Sequence, residues 1–154
     1  MKSFSDEIKA EAEKINKGFE RIVRSTAIAC FSNIIFGSPV NEGRFRGNWF
    51  ASTTAPSSKV TESTDKNGSK TAKAATEVVL HVKDWNVFQL TNNLPYSEII
   101  EFGGYPDPVE KGSWNKQKKT FEKLSANGYS KQAPAGVVRV NIALAEQNLR
   151  KAKL

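Results

Sequence analysis

Apolar side chains recur along the first part of the chain at alternating steps of four and three: Ile8, Ala12, Ile15, Phe19 and Ile22, with Thr26 continuing the line. That spacing predicts one stripe of an amphipathic helix over about Ser5–Phe36. Asp6 and Glu7 sit where acidic residues favour a helix N-terminus. Further on, Val23, Ala27, Ile28, Cys30, Phe31, Ile34 and Ile35 cover most of the circumference. The first half is therefore expected to bury one face and the second half nearly all of them, until Gly37 and Pro39 end the helix. A helix of ~30 residues is ~45 Å long, which exceeds what a domain of this size needs. Part of it is expected to project toward a partner subunit, or to pack across a sheet; the two are compatible.

After a turn-rich connector, Asn48–Thr54 reads as a strand of aromatic and β-branched residues. Residues 55–69 are rich in Ser, Thr, Lys, Asp, Asn and Gly and offer no apolar anchor, so a mobile loop is expected. In the next segment Ala72, Ala75, Val79 and Val82 fit a helix, whereas Val78, Leu80 and Val82 alternate like a strand. The alanine-rich lead-in, with Asn67 or Ser69 as cap, favours a helix over Thr71–Lys83. Asp84 and Asn86 turn the chain into an apolar strand at Val87–Leu90. Asn92 and Asn93 turn it again, and Pro95 opens a short helix that Gly103 stops. On that helix Ile99 and Phe102 are expected inward, Glu98 and Glu101 outward. Pro106 and Pro108 impose extended or turned backbone. Residues 105–128 form a second long excursion, with a hairpin closing at Asn127-Gly128 as one reading. Pro134 is expected to open a last amphipathic helix, running to about Lys151 and packed on the sheet beside the first. The fold class is α+β: a small antiparallel sheet packed with a long N-terminal helix, a middle helix and a C-terminal helix.

The length of 154 residues fits a single domain that buries roughly 70% of its unfolded surface. With one cysteine, Cys30, no internal disulfide forms; its place in an apolar helix end suggests a buried structural thiol in a reducing compartment. No run approaches the ~18 apolar residues that cross a bilayer, and the mixed-charge start does not resemble a signal peptide. A soluble chain made in the cytoplasm is expected. The net charge of +7 can attract nucleic acid or an acidic protein surface. The surplus sits in Lys111–Lys123 and Arg150-Lys151-Ala152-Lys153, where ordinary solvated faces also explain it. Chemistry is sparse. The one histidine, His81, lacks a second ligand at helical spacing, Gly43 and Gly47 lack the Lys-Ser/Thr of a phosphate loop, and no cofactor or enzymatic role is expected. A hydrolase would need His81 clustered with two acidic residues.

Three blocks stand out. Ser38-Pro39-Val40-Asn41-Glu42-Gly43-Arg44-Phe45-Arg46-Gly47-Asn48-Trp49 sets two arginines beside an indole. Such a set can serve nucleic acid by phosphate contact and stacking, or form ion pairs from Arg44 and Arg46 to Glu98 or Glu101. The second block, Asn92-Asn93-Leu94-Pro95-Tyr96, continues into Glu98-x-x-Glu101-Phe102-Gly103-Gly104. The third is Ser130-Lys131-Gln132-Ala133-Pro134-Ala135-Gly136.

In that order the blocks resemble a family of tailed-bacteriophage neck and tail-completion proteins, often labelled minor tail protein Z-like. The first looks like the family's S/T-P-V-D-T-G-R-x-R-x-x-W, with Asn41-Glu42 in place of the commoner Asp-Thr; a Lys-rich insertion precedes the third. The resemblance implies a virion protein assembled in the host cytoplasm, with no membrane partner. It implies a homo-oligomeric ring, expected as a hexamer, that joins the tail to the DNA-filled head. Its partners would be the tail tube or tail terminator, head-side connector proteins and the genomic DNA passing through the channel. Tail completion, tail termination and head closure stay open within the family. The interface residues so implied are Arg44, Arg46, Trp49, Asn93, Tyr96, Glu98, Glu101, Lys131 and Gln132, and the three blocks are expected to converge on one face. A basic nucleic-acid-binding protein is the rival reading.

Overall fold

A computed structural model describes residues 3–83, 87–105, 112–123 and 125–153. The expected turn at Asp84 and Asn86, the segment Pro106-Asp107-Pro108, and Lys111 lie outside the described residues. In chain order the elements are α1 (Phe4–Gly37), a 3-10 turn (Arg46–Asn48), β1 (Phe50–Ser52), α2 (Ser69–His81), β2 (Gln89–Thr91) and α3 (Ser97–Phe102). Then follow β3 (Ser113–Asn115), β4 (Thr120–Glu122), β5 (Ser125–Ala126), β6 (Tyr129–Ser130) and α4 (Val138–Lys151). Among the described residues the fold is α+β, with four α-helices and three two-stranded antiparallel sheets. The central pair aligns Phe50 with Thr91 and Ala51 with Leu90.

Helix α1 starts at a capping box, in which Ser3 Oγ accepts from the Asp6 amide and the Asp6 carboxylate accepts from the Ser3 amide. Its 34 residues span ~51 Å. Only its second half enters the core, where Phe31, Ile34 and Ile35 meet Ala72, Ala75 and Val79 of α2. Phe45, Trp49, Leu94, Ile100, Ala133 and Val137 complete that cluster. The N-terminal half carries its stripe in the open: Phe4 is 77%, Ile8 54%, Ile15 48% and Phe19 58% exposed.

Helix α2 runs antiparallel to α1. Its start at Gly68 lies beside Ile35 and Phe36, and its last carbonyls, those of Val79 and Val82, accept from the Arg24 guanidinium. The segment left between helix and strand by its sequence is thus helix to His81. Gly68 is its N-cap residue; Asn67 Oδ1 accepts from the Ser69 amide, and the Asp65 carboxylate, not anticipated, accepts from the amides of Gly68 and Thr71 and from the Thr71 hydroxyl.

Helix α4 also differs from expectation. It begins at Val138 rather than Pro134, because Pro134 to Gly136 is taken up by a tight turn that the Gly136 amide closes on the Ala133 carbonyl at 3.2 Å. It packs along α1, not on a sheet. Thr26, Cys30 and Asn33 of α1 face Asn141, Ala145 and Asn148 of α4 across a narrow cleft, and Cys30 Sγ lies 3.8 Å from the Asn141 carbonyl. Cys30 is half-buried there, and burial pushes its thiol pKa up.

Residues 112–123 hold one hairpin, and residues 125–130 hold a second, the one expected to close at Asn127-Gly128. In the first, Trp114 and Phe121 stack edge to face at 5.0 Å. In the second, Asn127 (φ 53°) and Gly128 (φ 76°) supply the left-handed pair that a tight hairpin turn requires.

The segment 55–68 has no regular secondary structure but is held along its length by polar contacts. Buried Asn48 accepts from the Thr61 amide and donates to the Thr61 carbonyl, at 2.8 and 2.9 Å. Asn93 donates to the carbonyls of Ser57 and Lys59. The Asp65 amide donates to the Gly43 carbonyl at 3.0 Å. The segment lacks apolar anchors, as its composition indicates, and hydrogen bonds tie it to the rest of the fold.

Candidate functional site

The three sequence blocks meet, through contacts other than the expected ion pairs. Gln132, in the third block, clamps the backbone of the first: its carboxamide accepts from the Val40 amide and donates to the Val40 carbonyl, both at 2.9 Å. Asn92, in the second, donates to the Phe45 carbonyl at 2.9 Å while its Oδ1 accepts from the Leu94 amide and the Ser97 hydroxyl. The Phe45 ring packs edge-on to Trp49 and tilted against Tyr96, with centroids 5.7 and 5.9 Å away.

Glu101 joins the second block to α4. Helix α4 has no capping side chain of its own at Val137, and the four amides of a helix start need acceptors. From α3, Glu101 supplies acceptors for three amides, those of Val137, Val138 and Arg139, at 2.7, 2.8 and 2.9 Å. The Arg139 side chain folds back to donate to the same carboxylate at 3.0 Å and to the Glu101 carbonyl at 2.7 Å, with its guanidinium over the Phe102 ring at 5.0 Å. Burial pushes the Glu101 carboxyl up. The amides of Val138, Arg139 and Val137, with the Arg139 guanidinium, outweigh that and hold it below the usual range. Gly136 (φ 79°) lets the chain approach this close, since a Cβ there would lie 2.5 Å from the Glu101 carbonyl oxygen.

The expected inner and outer faces of α3 are thereby exchanged in part. Glu101 is buried and Phe102 is 62% exposed, because the carboxylate is worth more at the start of α4 than in water. Ile100, not Phe102, enters the core.

Neither arginine of the first block reaches Glu98 or Glu101, which corrects the ion-pair reading. Arg44 pairs with Glu62. Arg46 donates to the carbonyls of Phe36, Ser38 and Lys66 at 2.7, 2.8 and 2.6 Å. It brings a cation to the C-terminus of α1, whose last turn contains no basic residue. Asp65 feels Arg46 as well. Burial raises its carboxyl, but its hydrogen bonds to Thr71 and Gly68 and the Arg46 charge hold it below the usual range.

Trp49 is buried, with Nε1 donating to Ser38 Oγ at 2.8 Å. Its face is not offered for base stacking. Among the expected site residues, Asn93 and Gln132 act as clamps, Tyr96 is half-buried against Phe45, and Glu98 and Lys131 are exposed. Glu98 also borders an apolar pocket of about 160 Å³ walled by Phe45, Trp49, Ile100, Phe102 and Val137.

Two residues that matter here, Asp65 and Arg139, were not singled out by sequence reasoning, and Asn48 and Gly136 stood in the blocks without a role of their own. For Arg139 and Gly136 the available signal was α4 itself, an apolar helix start with no Ser, Thr, Asp or Asn to cap it. His81 pairs with one carboxylate, Glu77, at 2.8 Å on an exposed helix face. Among the described residues no group of three or more His, Cys, Asp or Glu side chains is placed to hold a metal ion. No described helix is long and apolar enough to cross a membrane. No family model, curated protein or solved structure matches this chain.

Proposed function

We propose that this chain is a structural subunit of a phage neck, forming a tail-completion ring that joins the tail to the DNA-filled head. The observation that carries this reading is the junction of the three blocks through Gln132–Val40, Asn92–Phe45 and Glu101–Val137/Val138/Arg139. The residues on which the resemblance rests thus act together as one scaffold. In a ring, each subunit presents one surface to the next in a head-to-tail contact. Glu98 and Lys131, which remain on the outside of the scaffold, are the charged groups placed to take part.

The test is complementation. Particles assembled without this chain should accumulate as filled heads and separate finished tails, and the purified protein should join them. Reconstruction of the joined neck should then place the chain in a ring around the channel. Joined, infectious particles in its absence would overturn the reading. Tight duplex binding that weakens steeply with salt, without association with particles, would favour the nucleic-acid alternative.

A further inference from the structure

The apolar stripe of α1 is one continuous seam with two fates. Ile8, Ala12, Ile15, Phe19, Ile22, Thr26, Ala29 and Asn33 follow each other at steps of four and three, the spacing of a helix that pairs with another helix. From Thr26 to Asn33 α4 packs alongside the seam, running antiparallel, and leaves Ala29 and Asn33 exposed. Before Ile22 no described residue covers it, although Ile8, Ile15 and Phe19 are each about half exposed or more. The seam is therefore a helix-binding surface that is only partly filled.

We infer that its open part binds the same part of a second copy, as an antiparallel helix pair about a two-fold axis between Ala12 and Ile15. The sequence is self-complementary in that arrangement. Ile8 lies against Phe19 of the second copy, and Ala12 against Ile15, so that at the centre a small side chain faces a large one. At the flanking positions Lys9 faces Asn16 and Glu11 faces Gly18, so no like charges meet across the axis. All four layers lie clear of α4. The exposed parts of Phe4, Ile8, Ile15 and Phe19 from two copies amount to on the order of 800–900 Å² of apolar surface. This is at the low end for a specific interface, so the dimer dissociates on dilution. A two-fold contact cannot close a ring. The pairing is thus independent of the neck reading, and each can fail without the other.

Sedimentation of the full chain over a concentration series should show a reversible monomer–dimer equilibrium. Phe19→Glu, and separately Ile8→Glu, should raise its dissociation constant at least tenfold while leaving the thermal melt of the monomer in place, since both side chains are exposed there. Direction is read by cross-linking in a Cys30→Ala background. A mixture of the Ile8→Cys and Phe19→Cys chains should form a mixed disulfide dimer. Neither chain alone should, because identical positions lie ~16 Å apart along the axis. A chain that stays monomeric, disulfides within each single preparation, or an assembly indifferent to both Glu substitutions would each overturn the inference.

Discussion

Glu101 holds three backbone amides and one guanidinium with a single buried carboxylate, so its removal leaves donors without an acceptor. Glu101→Ala should cost about 1.5–3 kcal/mol in chemical denaturation, the range for hydrogen bonds to a charged group, with Glu101→Gln less damaging. Its depressed pKa also gives a pH dependence. A carboxylate that binds its proton more weakly when folded contributes stability above its unfolded pKa and loses it as pH falls through the folded value. Asp65 has the same sign. The melting temperature should therefore decline as pH drops below about 4, and the Glu101→Gln chain should show a shallower decline. Gly136 serves the same contact by having no side chain. Gly136→Ala should destabilise by more than ~1 kcal/mol, as the added Cβ meets the Glu101 carbonyl in a backbone conformation that alanine disfavours. A wild-type melt would show that the turn can move away.

At the scale of elements, regular periodicity was legible and long-range capping was not. The four-three spacing from Ile8 to Ile22 and the run ending at Ile35 mark α1 nearly to the residue, and Ala72, Ala75 and Val79 mark the buried face of α2. Helix starts were read less well, since the caps of α2 and α4 come from Asp65 and Glu101, three and 36 residues before the amides they first bind. Local reading looks in the adjoining residues: it found Asn67, which holds the Ser69 amide alone, and took Pro134 as the opening of α4. The same limit applies to the blocks. Their meeting was expected from the resemblance and from opposite charges, and Arg44 and Arg46 were matched to glutamates by charge. The structure instead bonds the terminal nitrogens of Arg46 to carbonyl oxygens that carry no mark in sequence. The segment 55–68 follows likewise, its anchors being backbone groups reached by Asn48 and Asn93. Asn48→Ala should therefore speed hydrogen exchange at the Thr61 amide at least tenfold, while amides in the middle of α2 stay protected. Equal exchange in both proteins would mean that Asn48 is not what holds the segment.

Across the whole molecule, one cluster of buried side chains joins the second half of α1 to α2 and to the three blocks. Phe31 lies in that cluster and is 8% exposed. Phe31→Ala should cost about 3–5 kcal/mol, measured by urea titration; a loss below ~1 kcal/mol would place the ring outside the core. The placing of the α4 cap has a consequence for the order in which the chain takes shape. The acceptor lies in α3, so it leaves the ribosome before any of the amides it will hold. The last helix is not written into its own residues alone, because its first turn closes only on a surface that earlier segments have already built. During synthesis the C-terminal segment thus reports that the rest is in place. A chain damaged upstream leaves the α4 segment loose, where a cell's proteases can find it.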